Sequence, residues 1–72
     1  MTQKLLVLNR LKRGPLTQLQ ALRELGVMRL ASRIDELRQS GNRIDTEMIE
    51  VEKADRTKSK VARYRLIEPA IN

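Results

Sequence analysis

The chain has 72 residues, carries a formal net charge of +6 and contains neither cysteine nor histidine. This length allows one small core and no separate catalytic lobe, so we expect a single domain over residues 1–72 with a frayed tail at 68–72. Without cysteine or histidine, disulfides and the usual zinc ligand sets are excluded, and we expect no metal and no cofactor. The positive charge favours a polyanionic partner.

The first predicted helix follows Thr2, whose side chain can cap it. Gly14 and Pro15 end it, because neither residue continues a helix well. Its apolar residues recur at helical spacing: Leu5, Leu8 and Leu11. This segment is basic and has no uninterrupted apolar stretch, and no later segment approaches the roughly 20 apolar residues of a membrane span. We therefore expect no membrane partner.

Two more helices are predicted in the middle of the chain. Thr17 caps a short helix over residues 18–25, which Gly26 closes. Its inward-facing residues should be Leu19, Leu22 and Leu25. A third helix is predicted over residues 28–40 and ends at Gly41. Its apolar stripe consists of Leu30, Ile34 and Leu37, with Ala31 beside them. One or two residues separate these helices, so the chain must turn sharply between them.

Beyond the third helix the period of the apolar residues changes from 3.6 towards 2, which predicts two strands. The first begins near Ile44 and needs a bulge near Met48 or Ile49, where the alternation shifts phase. Residues 52–59 are charged and lack large apolar side chains, as a loop would. The second strand covers residues 60–67. Its faces carry Tyr64 and Leu66 on one side, and Arg63 and Arg65 on the other, where we expect the arginines to coat the outer face of an edge strand.

Three helices followed by a two-stranded antiparallel hairpin are the elements of a winged helix-turn-helix domain, an α+β fold. An isolated hairpin is marginal in water, so its apolar face must pack against the helices. In this arrangement the third helix, residues 28–40, can enter the major groove of double-stranded DNA. Four side chains on the side that the core does not use are the candidate base contacts: Arg29, Ser32, Arg33 and Glu36.

The charges are distributed unevenly along the predicted hairpin. Residues 53–60, the wing, carry a balance of +3, whereas residues 42–52 carry a balance of −3. We expect the wing to lie along DNA phosphates and the acidic strand to face away from the DNA. The candidate phosphate contacts are Lys53, Arg56, Lys58 and Lys60.

Several segments together resemble the small helix-turn-helix proteins of bacteriophages and prophages, over most of the chain from Leu5 to Leu66. The segments that carry this resemblance are Ala21-Leu22, Gly26, Arg29-Leu30-Ala31-Ser32-Arg33-Ile34-Asp35-Glu36-Leu37-Arg38, Gly41, Ile44-Asp45-Thr46-Glu47 and Ala62-Arg63-Tyr64-Arg65-Leu66. The resemblance implies a winged-helix fold, DNA binding, and a role in transcription regulation or recombination in a mobile element. Because no signal peptide or membrane span is predicted, we expect a location in the cytoplasm of a bacterial host cell.

Other interpretations of the same residues stay open. Arg29 and Arg33 suit an ordinary solvated helix face, and charged residues occur at any exposed hairpin tip. The same surface suits a protein-interaction module that binds a host or phage protein. A homodimer is compatible with either function, through an apolar C-terminal edge of Leu66, Ile67 and Ile71. We expect no enzymatic activity, because the sequence offers no pocket for its carboxylates and no glycine-rich phosphate loop.

Overall fold

A computed structural model describes residues 2–70, which form three helices and a three-stranded antiparallel sheet. The predicted order of three helices and two hairpin strands is confirmed, whereas the two-residue strand β1 was not predicted. In chain order the elements are α1 (Gln3–Leu11), β1 (Leu16–Thr17), α2 (Gln18–Leu25), α3 (Leu30–Gln39), β2 (Arg43–Glu52) and β3 (Lys58–Glu68).

The predicted caps fix the ends of the first two helices. The Oγ1 of Thr2 accepts a hydrogen bond from the backbone N–H of Leu5 at 3.3 Å. Thr17 and Gln20 form a capping box, in which each side chain accepts a hydrogen bond from the other residue's backbone N–H. Gly26 ends α2 in the left-handed conformation, with a φ of 69°.

The third helix is shorter than the predicted 28–40, and the turn before it, residues 26–29, is longer than predicted. Val27 explains the difference, because its side chain is fully buried and its N–H donates to the carbonyl of Ala21 at 3.2 Å. The backbone at Val27 is therefore held against the end of α2, and α3 begins only at Leu30.

The apolar core lies between the helices and the sheet. All three predicted core positions on α3 are confirmed, while Ala31 beside them is exposed. The buried apolar residues are Val7, Leu11, Leu16, Ala21, Val27, Leu30, Ile34, Leu37 and Ile44.

The prediction that Leu19 and Leu22 face inward is wrong, since they are 55% and 46% exposed. The small side chain of Ala21 is buried instead, and Leu25 packs half-buried at the edge of the core. The alanine face of α2, rather than its leucine face, meets the core. On α1, Leu11 is buried and Leu8 is half-buried against the core, whereas Leu5 is exposed and Val7 is buried in addition.

β3 is the central strand of the sheet, whose order is β1-β3-β2. Leu16 pairs with Tyr64, and this short contact joins the sheet to the start of α2. The expectation that Arg63 and Arg65 coat an edge strand is therefore wrong, because β3 has neighbours on both sides at Arg63.

The two hairpin strands keep one register from Ile44 opposite Leu66 to Glu52 opposite Lys58. The predicted bulge near Met48 or Ile49 is wrong, since the irregularity lies between Arg43 and Ile44. The phase of the apolar residues shifts for another reason. Near the helices one face of the hairpin packs on the core, whereas farther out the opposite face, with Val51 and Val61, lies beside α2.

The buried side chain of Asn42 links the end of α3 to the end of the described chain. Its Nδ2 donates to the carbonyl of Leu37 at 2.9 Å, and its Oδ1 accepts from the N–H of Ala70 at 2.8 Å. Of the tail expected to fray, residues 71 and 72 lie outside the described residues, as does Ile71 of the expected dimer edge. Among residues 2–70, no helix has the length and apolar character needed to cross a membrane.

Candidate nucleic-acid interface

The turn into α3 is held by Gln18, the first residue of α2. Its Nε2 donates to the carbonyl of Val27 at 2.8 Å, and its Oε1 accepts from the N–H of Leu30 at 2.8 Å. The second bond provides an acceptor for the first N–H of α3, because Arg29 at the N-cap makes no side-chain cap. Gln18 therefore fixes the orientation of α3 relative to α2. This role was not predicted, since its partners lie 9 and 12 residues away.

Arg38 attaches the other end of α3 to β2. Its guanidinium donates two hydrogen bonds to the carbonyl of Ile44, at 3.1 and 2.8 Å, and one to the Oγ1 of Thr46 at 2.8 Å. This arginine is exposed, but its hydrogen bonds stabilise the contact between α3 and β2. The helix is thus fixed at both ends, which makes the orientation of its outer face well defined.

The four predicted base contacts differ in accessibility. Arg29 and Glu36 are exposed, whereas Ser32 and Arg33 are half-buried. The side chain of Arg33 is 31% exposed, and its Nε lies 2.7 Å from Oε1 of Glu36, an ion pair without the alignment of a hydrogen bond. Arg29 is the one cation of this set that is both exposed and without an ion pair within residues 2–70.

The outer face of α3 also contains residues that were not nominated from the sequence. Met28 is 77% exposed in the turn before the helix, and Asp35 and Gln39 are exposed along it. With Ser32 and Glu36, the positions of Asp35 and Gln39 follow the i, i+3, i+4, i+7 spacing of a single helix face. That spacing was readable in the sequence, because it lies opposite the confirmed apolar stripe.

The wing ends in a tight turn that its own hydrogen bonds stabilise. The N–H of Lys53 donates to the carbonyl of Thr57 at 2.7 Å, and Arg56 takes a positive φ of 68°. The carboxylate of Asp55 accepts from the hydroxyl of Thr57 at 2.6 Å and from its backbone N–H at 3.0 Å. These bonds hold the pKa of Asp55 below its ordinary value. The acid of the wing is therefore engaged within the turn.

The four candidate wing cations are all exposed. Lys58 lies 3.3 Å from a carboxylate oxygen of Glu50 on the neighbouring strand. The other three have no ion pair within the described part of the chain: Lys53, Arg56 and Lys60. Lys53 and Arg56 thus lie at the tip of the hairpin, and Lys60 lies near it at the start of β3.

The acidic strand is partly neutralised by the strand beside it. A carboxylate oxygen of Glu47 lies 2.6 Å from Nε of Arg63 and 3.6 Å from a guanidinium nitrogen of Arg65. The hydrogen bond from Arg63 is the main cause that holds the pKa of Glu47 below its ordinary value. Both arginines are thereby occupied away from the wing tip.

A family model described as a winged helix-turn-helix domain matches residues 2–69. The chain belongs to this winged helix-turn-helix family. The predicted fold is confirmed, and membership implies DNA binding by a typically non-enzymatic fold. No curated protein and no solved structure matches the chain.

Within this winged helix-turn-helix domain, the basic residues separate into two groups. The cations that form ion pairs are Arg10, Arg33, Arg38, Lys58, Arg63 and Arg65. Those without an ion pair in residues 2–70 include Arg29 at the start of α3 and three of the four wing cations. The first group mostly stabilises contacts between elements, and the second is available to an external anion.

The wing of the winged helix-turn-helix domain begins far along β2 from the point where that strand is attached to the C-terminal end of α3. Arg38 joins α3 to β2 at Ile44, and the wing begins at Lys53. Nine residues of strand separate these points, which corresponds to roughly 30 Å.

In the described residues, no group of three or more acidic side chains is arranged to hold a metal ion.

Proposed function

We propose that this domain binds double-stranded DNA with sequence preference, with α3 and the turn before it in the major groove and the wing on the phosphate backbone. We further propose that it acts as a transcription regulator or recombination accessory factor of a bacteriophage or prophage, in the cytoplasm of the bacterial host. The role in a mobile element rests on the sequence resemblance. The observation that carries DNA binding is the set of exposed, unpaired cations at the two places where this fold meets DNA.

At the major groove, Arg29 is the principal contact of the proposal. An arginine can donate to O6 and N7 of one guanine at once, and such a contact contributes about 1–3 kcal/mol of discrimination. Arg33 lies one turn and Glu36 two turns farther along, where a carboxylate suits the N4 amine of cytosine and a guanidinium suits the guanine opposite. Ser32 lies just before Arg33 and suits a base or a phosphate oxygen.

On the backbone, Lys53, Arg56 and Lys60 supply affinity without reading sequence, because phosphate contacts are the same at every base pair. Lys58 can also contact a phosphate if it exchanges its ion pair with Glu50 for the DNA. Such an exchange costs little, because exposed ion pairs are weak. The proposal assigns the arginines beside Glu47 to the sheet.

The test is selection of binding sites from random duplex DNA, followed by fluorescence anisotropy over a range of salt concentrations. The logarithm of the binding constant should fall linearly with the logarithm of salt, by about 0.9 for each phosphate contacted. Arg29→Ala should reduce the preference for the selected site over a scrambled one about 10-fold or more. Lys53→Ala should weaken binding to both duplexes alike and reduce the salt slope by about 1.

Arg65→Ala is the matched control, since it removes the same charge from a side chain that the proposal does not place on DNA. It should leave affinity, preference and slope unchanged. Absence of salt-sensitive binding at micromolar protein would contradict the proposal. A stoichiometric protein partner that survives nuclease treatment, without DNA affinity, would favour the protein-interaction module instead.

A further inference from the structure

An apolar groove runs between α2 and the hairpin, and the proposed DNA contacts do not use it. Leu19 and Leu22 line one side, and Val51 and Val61 line the other. The groove has a volume of about 410 Å³, and Glu52 also lines it. We call it the α2–hairpin groove.

Three of the apolar residues of this groove are exposed to solvent. Leu19 and Leu22 are 55% and 46% exposed, and Val51 is 36% exposed. They line one groove together rather than being scattered singly, and grouped apolar surface of this kind is a feature of interaction sites. Since neither leucine nor valine can bind phosphate, the groove fits an apolar partner better than it fits DNA.

We propose that the α2–hairpin groove is the contact surface for a second copy of this chain, in a two-fold symmetric dimer. The groove offers both parts of such a contact, because α2 forms a ridge of two leucines and the valines of the hairpin form the opposite wall. In a two-fold dimer the same patch meets itself, so the leucines of each copy enter the groove of the other.

Charge complementarity favours a second copy over another partner. Arg23 lies four residues after Leu19 and so shares its face of α2, and Glu52 lines the groove. Both side chains are exposed, and neither has an ion pair in the part of the chain that the structure describes. In the dimer, Arg23 of each copy meets the partner's Glu52, so two ion pairs flank the apolar contact.

Pairing through the free edge of β2 fits a dimer less well. This strand carries four carboxylates, and two copies side by side would bring like charges together. They are Asp45, Glu47, Glu50 and Glu52. The C-terminal edge is also less suitable, because Leu66 packs half-buried against the core of its own chain.

Sedimentation equilibrium of the whole chain, without DNA and at concentrations up to about 1 mM, tests the proposal. We expect a reversible equilibrium between monomer and dimer, in which Leu22→Lys raises the dissociation constant at least about 10-fold. Leu5→Lys is the matched control and should leave the constant unchanged, since Leu5 is also 46% exposed but lies on α1, outside the groove.

Charge reversal identifies the contact itself. Arg23→Glu and Glu52→Arg should each weaken the dimer, and the double variant should restore it. A strict monomer over the whole range, equal effects of the two leucine variants, or no rescue by the double variant would each overturn the proposal. Uptake of an apolar peptide by a chain that stays monomeric would overturn it as well. Because DNA is absent, failure here leaves the DNA-binding proposal untouched.

Discussion

Gln18 bonds to both ends of the turn between α2 and α3, where two backbone groups would otherwise lack partners. An amide side chain suits this position because it donates through one atom and accepts through another. The residue that orients the candidate recognition helix is therefore on the helix before it. Residues that contact DNA and residues that position those contacts are distinct in this domain.

Gln18→Ala should lower the free energy of unfolding by about 1–3 kcal/mol, because the variant leaves the carbonyl of Val27 and the N–H of Leu30 unsatisfied. Urea denaturation in dilute solution measures the change. Gln3→Ala is the control, since Gln3 is an exposed glutamine at the first position of α1, and its effect should stay within about 0.5 kcal/mol. Equal unfolding midpoints for the two variants would contradict the assigned role of Gln18.

At the scale of the elements, local chemistry and the buried face of α3 were predictable, whereas the buried face of α2 was not. The caps at Thr2 and Thr17 and the stop at Gly26 depend on neighbouring residues, so the sequence is sufficient for them. The periodicity of α2 offers both a leucine stripe and Ala21 as candidates for the core. Which of them is buried depends on how closely α2 approaches the rest of the protein, and β1 is too short to produce any alternation.

The hairpin should lose stability at acidic pH through Glu47. Its hydrogen bond with Arg63 holds its pKa below the ordinary value of 4.5, so the stabilisation is complete above pH 4.5 and is lost as the pH falls through the lowered pKa. Glu47→Gln should therefore lower the Tm slightly at neutral pH, since the pair is partly exposed, and the difference from wild type should vanish in acid.

Calorimetry over a pH series measures this difference. Asp45→Asn is the control, because it removes from the same strand a carboxylate that has no ion pair within residues 2–70, and it should leave the Tm at neutral pH unchanged. A difference for Glu47→Gln that persists at low pH would show that the glutamate acts through packing rather than through its charge.

At the scale of the whole molecule, the described residues span 46 × 22 × 19 Å, with the core near the helices and the wing beyond it. The candidate DNA-binding surface consists of α3 on the helical part and the wing at the far end of the hairpin. The sequence predicted that both carry basic residues. The ion pair of Arg33 with Glu36 is local, at i, i+3, and could be anticipated from the sequence. The pair of Lys58 with Glu50 could not, because it depends on the register of the hairpin.

Leu16 connects the sheet to the helical core, since it is fully buried and pairs with Tyr64 of the central strand. Leu16→Ala should cost about 2–5 kcal/mol, because it leaves a cavity between the sheet and the helices. For a chain of this size, the Tm should fall by roughly 10–40 °C. Leu5→Ala, an exposed leucine on α1, should cost less than about 1 kcal/mol.

Two probes follow this unfolding separately. Far-UV circular dichroism reports mainly on the helices, and the fluorescence of Tyr64, the only aromatic residue, reports on the sheet. Because β1 joins the two layers, both signals should change in one transition and shift together in Leu16→Ala. If the tyrosine signal kept its wild-type midpoint while the helices melted earlier, the hairpin would be stable without the helical core. Leu16 would then not couple the wing to α3.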